Sequence, residues 1–233
     1  MSQAHAPGNN GQVLHITQRC HQRQFLLSGE AERRRWVYWL RQLRKTHNIS
    51  VLNYIVTCNH VHLLIKDPGK RSLEAAMLLL NSRTAKEFNK RYQRKEAFWE
   101  SDYKVTVIQV NAHLARCVNY IDMHMVRAGE VAHPSLWSSS GYCETKSPPR
   151  RGGALDHAGL LNLLQFESSD AMQKARDQWI VEKLTEKAPR RESYWSDSIA
   201  VGDLAFALKM KRALAFAHPA SRAQKEFGCF AVR

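Results

Sequence analysis

Between Ser50 and Lys66 the chain holds two β-forming runs with almost nothing between them, and this restricts the fold more than any other feature. Ser50 to Thr57 carries Val51, Tyr54, Ile55 and Val56, and His60 to Lys66 carries Val61 and Ile65. Cys58-Asn59 leaves room for a tight connection alone, so the two runs are predicted to pair as a hairpin. What flanks the hairpin then sets the topology. Val13-Leu14-His15-Ile16-Thr17 reads as a short strand. Glu30 to His47 places Trp36, Val37, Leu40 and Leu43 at helical spacing. Ser72 is positioned to N-cap a second helix, with Glu74 in its first turn, Leu73, Ala76, Met77 and Leu80 following, and an end near Tyr92. Lys104 to Val110 alternates as a fourth strand, and Asn111 caps a third helix that runs to about Val126 and stops before Gly129.

The order β-α-β-β-α-β-α is the split βαβ, ferredoxin-like pattern with one added helix. It predicts an α+β fold in which a four-stranded antiparallel sheet is covered by helices on one face. After Gly141 the texture changes. Lys146-Ser147-Pro148-Pro149-Arg150-Arg151-Gly152-Gly153 is basic and rich in Pro and Gly. Helical stretches follow at Ala158 to Phe166, Asp170 to Glu186 and about Asp203 to Phe216, with Arg190-Arg191 between the last two. The expected organisation is a flexible N-terminus over 1–12, a main domain over 13–142, a linker over 143–157 and a basic helical appendage over 158–233.

Thirty-five Lys and Arg against 21 acidic residues give a formal charge of +14 in 233 residues. A surplus of this size points to a polyanionic partner, because a basic surface gains affinity by releasing counterions from phosphates. A merely soluble basic protein is the plainer reading. Aromatic and basic residues mix in Phe88-Asn89-Lys90-Arg91-Tyr92 and from Arg33 to Trp39, as in grooves that stack bases, and as in ordinary amphipathic helices. The five cysteines, Cys20, Cys58, Cys117, Cys143 and Cys229, are scattered and never spaced Cys-x-x-Cys, which predicts free thiols in a reducing compartment. No apolar run approaches the ~20 residues of a membrane span, and no signal peptide is visible, so a cytoplasmic protein is expected.

His60 and His62 lie two apart on a predicted strand, so both side chains leave the same face. Alone the pattern is weak: with 11 histidines, chance gives roughly one His-x-His in every second chain of this length. Two hydrogen-bonded sheet histidines account for it as well as a metal site does. On the third helix Tyr120 and His124 are four apart and share a face, flanking the stripe of Leu114, Cys117, Val118, Ile121 and Met125. Arg116 and Arg127 fall on the same side. A tyrosine, an imidazole and two guanidiniums suit phosphodiester chemistry, although Tyr120 taken singly is equally a half-buried packing residue. Arg83, Lys86, Lys90 and Arg91 on the second helix, and Lys104 at the fourth strand, are candidate backbone contacts for nucleic acid. A solvated helix face is the alternative for the first four.

Thr57-Cys58-Asn59-His60-Val61-His62-Leu63-Leu64 resembles the Asn-His-Val-His-Leu-Leu strand of the HUH single-strand DNA transposases, and more specifically of the REP-associated tyrosine transposases of bacteria. Further segments match in order: His15-Ile16-Thr17-Gln18-Arg19, Phe98-Trp99-Glu100 with Tyr103-Lys104, Tyr120 to Gly129, and Pro134 with Trp137-Ser138-Ser139. The likeness covers about Val13 to Tyr142 and, more loosely, Trp195 to Gly202. Two departures stand out. Cys58 replaces a usual proline, and His124-Met125 stands where the family commonly has Asn-Pro.

The resemblance implies a metal-dependent single-strand DNA endonuclease and strand transferase. Tyr120 would be the nucleophile, forming a 5′-phosphotyrosine link and a free 3′-hydroxyl in hairpin DNA. His60, His62 and His124 would hold one divalent ion, Mn²⁺ or Mg²⁺, with three imidazoles favouring Mn²⁺. Tyr54 and Tyr103 are weaker candidates for the nucleophile. A bacterial, nucleoid-associated protein acting as a monomer or homodimer is implied, with no membrane association. The alternatives are a domesticated DNA-binding protein that no longer cleaves, and a zinc-dependent hydrolase, which would leave Tyr120 without a role.

Overall fold

A computed structural model describes residues 11–150, 152–185, 192–215, 223–226 and 229–232. Most of the expected flexible N-terminus, Arg190-Arg191 and Phe216 lie outside the described residues.

Strand β1 (Val13–Arg19) leads to helix α1 (Glu30–His47). Glu30 and Glu32 lie in the first turn of α1, and Arg44, Lys45 and His47 in the last, each complementing the helix dipole. Asn48 ends it in the left-handed conformation, φ 50°. The hairpin forms as expected from β2 (Ser50–Val56) and β3 (His60–Lys66). Thr57 N–H donates to the His60 carbonyl at 2.9 Å, closing the turn over Cys58-Asn59. Helix α2 spans Lys70–Arg91. It begins two residues before the predicted Ser72 cap, behind Gly69, whose N–H donates to the Asp67 carboxylate.

Strand β4 (Lys104–Ile108) precedes α3 (Ala112–Asp122), capped by the Asn111 side chain as predicted. The expected single helix to Val126 is interrupted at Met123, and a short turn, α4 (His124–Arg127), carries on to Gly129 at φ +75°. Beyond lie α5 (Gly141–Lys146), α6 (His157–Leu164), α7 (Ser169–Thr185), α8 (Tyr194–Asp197), β5 (Ala200–Gly202), α9 (Leu204–Ala215), β6 (Ala223–Glu226) and β7 (Cys229–Val232).

The sheet order is β2-β3-β1-β4-β5-β7-β6. Its first four strands are antiparallel neighbours in the ferredoxin-like arrangement. The rest comes from the C-terminal segment, where β5 adds in parallel to β4 and β7 and β6 follow. So the segment read as helical also contributes strands. Three residues are too few for a period-2 signal to separate from loop.

The sheet is covered on both faces, not one. Leu14, Ile16, Val61, Leu63 and Ile65 point to α1 and α2, meeting Trp36, Leu40, Leu73 and Met77. Val13, Leu64, Ile55 and Ile108 point the other way, to Leu114, Val118 and Ile121 of α3 and to Leu160, Met172 and Trp195. Two-sided burial shows in β1 to β3 as a buried residue at nearly every position, polar His15, Thr17, Gln18, Asn53 and His62 included. Each apolar side chain among them contributes about 1.5–3 kcal/mol when taken from water.

The stretch 143–157, read as a linker, packs on β2. Tyr54 Oη donates to Glu144 at 2.8 Å, Asp156 N–H donates to the Val51 carbonyl at 2.7 Å, and Ala154 and Leu155 are buried. Gly141 is needed there, because a Cβ would overlap the Asn53 side chain beneath it. Cys20, Cys58, Cys117 and Cys143 are not joined in disulfides. Among the described residues no helix is long and apolar enough to cross a membrane.

Candidate active site

The period-2 alternation of β3 that sends Val61 and Leu63 to the α1/α2 face sends His60 and His62 to the α3 face. On β1 the same alternation sends His15 and Thr17 to that face. Thr17 pairs with His62, and Arg19 with His60. Helix α3 lies across this surface and lowers Tyr120 onto it. The turn at Met123 then brings His124 and Arg127 over the same spot.

The potential ligand atoms of His60, His62 and His124 all lie within 4.8 Å of one another. His60 Nδ1 is 2.7 Å from Asn59 Oδ1, an acceptor, which holds the proton on that nitrogen and turns the Nε2 lone pair inward. His62 Nδ1 is 2.9 Å from His15 Nε2 and 3.3 Å from Thr17 Oγ1. Among the described residues the buried His62 Nε2 has no hydrogen-bond partner. Burial pushes His62 well below the ordinary imidazole range, assisted by His124, His15, His60 and Arg127. Burial likewise lowers His15 to about 4, against the opposing hydrogen bond that its Nδ1–H donates to the Trp195 carbonyl. Neutral imidazoles with inward lone pairs are the state a metal ion requires. An orphaned buried nitrogen facing two further imidazoles fits a divalent cation.

Tyr120 is 6% exposed. Its ring is edge-on to His62, with centroids 5.9 Å apart, and to His124 at 6.4 Å. The Trp195 ring is tilted against it, with centroids 6.0 Å apart. The Arg127 guanidinium carbon lies 4.2 Å from the Tyr120 ring centroid. Desolvation lowers the Arg127 pKa, while Tyr120 and Glu192 act against that fall. A phenol, a guanidinium and three imidazoles are thus assembled from residues far apart in sequence.

The remaining candidates divide. Lys104 sits on the same sheet face, in the row His62–Thr17–Lys104, and pairs with Asp197 at 2.8 Å. It lines a polar cleft of about 220 Å³ with Thr17, Arg19, Glu100, Asp102 and Asp197. Arg116 is exposed one turn before Tyr120 on α3. Arg83, Lys86, Lys90 and Arg91 belong to α2, which covers the opposite face of the sheet. There Arg83 lies over the Trp39 ring and Arg91 pairs with Glu32 at 3.0 Å. Tyr54 also faces away from the histidines, and Tyr103 packs against the α1/α2 core. His15, Asn59 and the Trp195 carbonyl were not singled out from the sequence. The alternation of Val13 to Thr17 was a usable signal for His15, since it sets a histidine opposite Leu14 and Ile16.

No curated protein shows significant sequence similarity to the chain. Residues 10–124, which include His60, His62, Tyr120 and His124, match the family described as IS200-like transposase. The fold is similar to that of a solved REP-associated tyrosine transposase bound to a REP hairpin. That similarity has a TM-score of 0.52 at 17% sequence identity, covering 64% of this chain and 87% of that one. The ferredoxin-like order of the sheet, the histidine pair on β3 and the sequence match over residues 10–124 make this part of the chain similar to the IS200-like transposases.

Proposed function

We propose that the protein cleaves and rejoins single-stranded hairpin DNA, with Tyr120 as nucleophile and a divalent ion held by His60, His62 and His124. The observation that carries this reading is the convergence of Tyr120, Arg127 and three imidazoles whose ligand atoms lie within 4.8 Å. The hairpin in the solved neighbour and the charge of +14 support the choice of substrate.

Tyr120 Oη attacks the scissile phosphorus. As the Tyr–O–P bond forms the phenol proton leaves, and as the P–O3′ bond breaks the 3′ oxygen takes one up. The product is a 5′-phosphotyrosine and a free 3′-hydroxyl. Because the energy of the phosphodiester is retained in that link, a 3′-hydroxyl can reverse the step and join strands. A phenol has an ordinary pKa near 10, so the attacking oxygen needs positive charge nearby. Arg127 supplies it from the ring face. His60 and His62, fixed on a strand, and His124, fixed on α4, would hold the ion. When bound it would polarise and orient the phosphate. Burial of Tyr120, with His62 and Trp195 packed against its ring, restricts the ring and limits its contact with water.

The test is incubation of the protein with a single-stranded hairpin oligonucleotide and Mn²⁺ or Mg²⁺, followed by a denaturing gel. A covalent protein–DNA band that disappears in Tyr120→Phe is expected. A folded sample that binds the hairpin but gives no band with either ion overturns the proposal.

A further inference from the structure

Three groups outside the ligand set line up behind His62. The Trp195 carbonyl oxygen is 2.7 Å from His15 Nδ1. A carbonyl can only accept, so that nitrogen of His15 carries a proton. A neutral imidazole protonated at Nδ1 has its lone pair at Nε2. His15 Nε2 is 2.9 Å from His62 Nδ1, within hydrogen-bond distance, and the ring centroids are 5.0 Å apart. His62 Nδ1 must then be the donor, which leaves the lone pair of His62 on Nε2. That is the buried nitrogen with no hydrogen-bond partner among the described residues. Thr17 Oγ1, 3.3 Å from His62 Nδ1, cannot make this selection, because a hydroxyl donates or accepts equally well.

We propose that His15 and the main-chain carbonyl of Trp195 form a positioning relay that fixes His62 as its Nδ1–H tautomer and aims its Nε2 lone pair at His60 and His124. The proposal rests on the metal-site reading given above. It also assigns a role to the C-terminal segment. Residue 195 lies 180 positions from His15 in the chain, and α8, which carries it, rests on β1 and β4. The segment thereby sets the electronic state of a ligand that it does not touch. His15 never contacts the ion or the DNA in this scheme; it acts through His62. Partners that orient a metal-bound histidine typically cost about 10–100-fold in metal affinity when removed.

The experiment uses the full chain labelled with ¹⁵N-histidine, without metal, and compares wild type with His15→Leu and His15→Gln. Glutamine can accept from His62 Nδ1 and donate to the Trp195 carbonyl, whereas leucine can do neither. Long-range ¹H–¹⁵N spectra of the wild type should show both His15 and His62 protonated at Nδ1. In His15→Leu the His62 signature should become mixed, and titration with Mn²⁺ should show affinity weakened by about 10–100-fold. In His15→Gln both properties should return to within a few-fold of wild type. A His62 tautomer unchanged in His15→Leu overturns the relay, and so does a His15→Gln variant as impaired as His15→Leu, which would mark a role in packing alone. The two readings fail separately. A wild type that binds no Mn²⁺, but whose His62 tautomer depends on His15, overturns the metal reading and supports the relay.

Discussion

Nε2 of His60 and Nε2 of His124 stand 3.0 Å apart, one presented by a strand and the other by the turn of helix that follows Met123. Two imidazole nitrogens at this distance need a proton or a cation between them, since two lone pairs would repel. With the Nδ1 of His60 committed to Asn59, the contact places His124 in the cluster of three imidazoles that could hold a metal ion.

Position 124 should therefore set the choice of metal. Imidazole suits Mn²⁺ and later divalent ions, whereas Mg²⁺ prefers oxygen. Mn²⁺ should raise the thermal unfolding midpoint more than Mg²⁺ at equal concentration, with stabilisation of about 2.7 kcal/mol at 100 times Kd. His124→Asn should narrow the gap between the ions. Equal responses in the wild-type protein would contradict the assignment.

Arg127 lies over the Tyr120 ring at 4.2 Å, and in the proposed mechanism it meets charge that develops during attack rather than charge already on bound DNA. Arg127→Ala should slow single-turnover adduct formation by roughly 10²-fold and lower hairpin affinity far less. Arg127→Lys should recover part of the rate. Equal losses in binding and rate would reduce Arg127 to a backbone contact.

Acid should destabilise the protein through its buried imidazoles. His15 has an ordinary value of 6.5 when unfolded and about 4 when folded. Between these limits the unfolded chain binds the extra proton. Stability is therefore full above pH 6.5, falls as pH drops, and levels off below 4. At about 1.4 kcal/mol per unit, His15 accounts for a loss of about 3 kcal/mol. His62, depressed in the same direction, adds to it. Urea unfolding at pH 7 and pH 4.5 should show the drop, and His15→Gln should flatten it. An unchanged midpoint between the two pH values would refute the assignment.

Arg176 of α7 and Asp122 of α3 form a buried ion pair at 2.8 Å, with side chains 0% and 1% exposed. Asn53 also donates to Asp122, at 2.9 Å. Removing one partner leaves a buried charge without compensation. Arg176→Met should cost about 3–5 kcal/mol in denaturant unfolding, and Asp122→Leu with Arg176→Met should recover much of it. For the same reason, a chain truncated after residue 150 should lose stability. An additive double mutant would show that the pair does not interact.

Much of the site was legible because it depends on local periodicity. That His60 and His62 share a face follows from a strand's period of two, and that Tyr120 and His124 do so follows from four-residue helical spacing. Asn111, Gly129 and the tight turn at Cys58-Asn59 are likewise residue-level signals that the structure carries through. The break at Met123 was not legible, since no proline marks it. Nor was the packing of 143–157, whose Pro and Gly residues read as a linker although Glu144, Leu155 and Asp156 dock on β2.

By itself the sequence determined the order of the first four strands, the faces of the histidine pair and of helix α3, and the basic character of the molecule. Only the tertiary structure decided that α3 covers the face of the sheet opposite α2. That choice brings Tyr120 and Arg127 to the histidines and keeps Arg83, Lys86, Lys90 and Arg91 away from them. It likewise decided that the Trp195 carbonyl reaches His15 and that Arg176 reaches Asp122. The reason is range. Periodicity is written in neighbouring residues, whereas these contacts join positions tens to hundreds of residues apart, and they form where two separately encoded apolar surfaces bury each other.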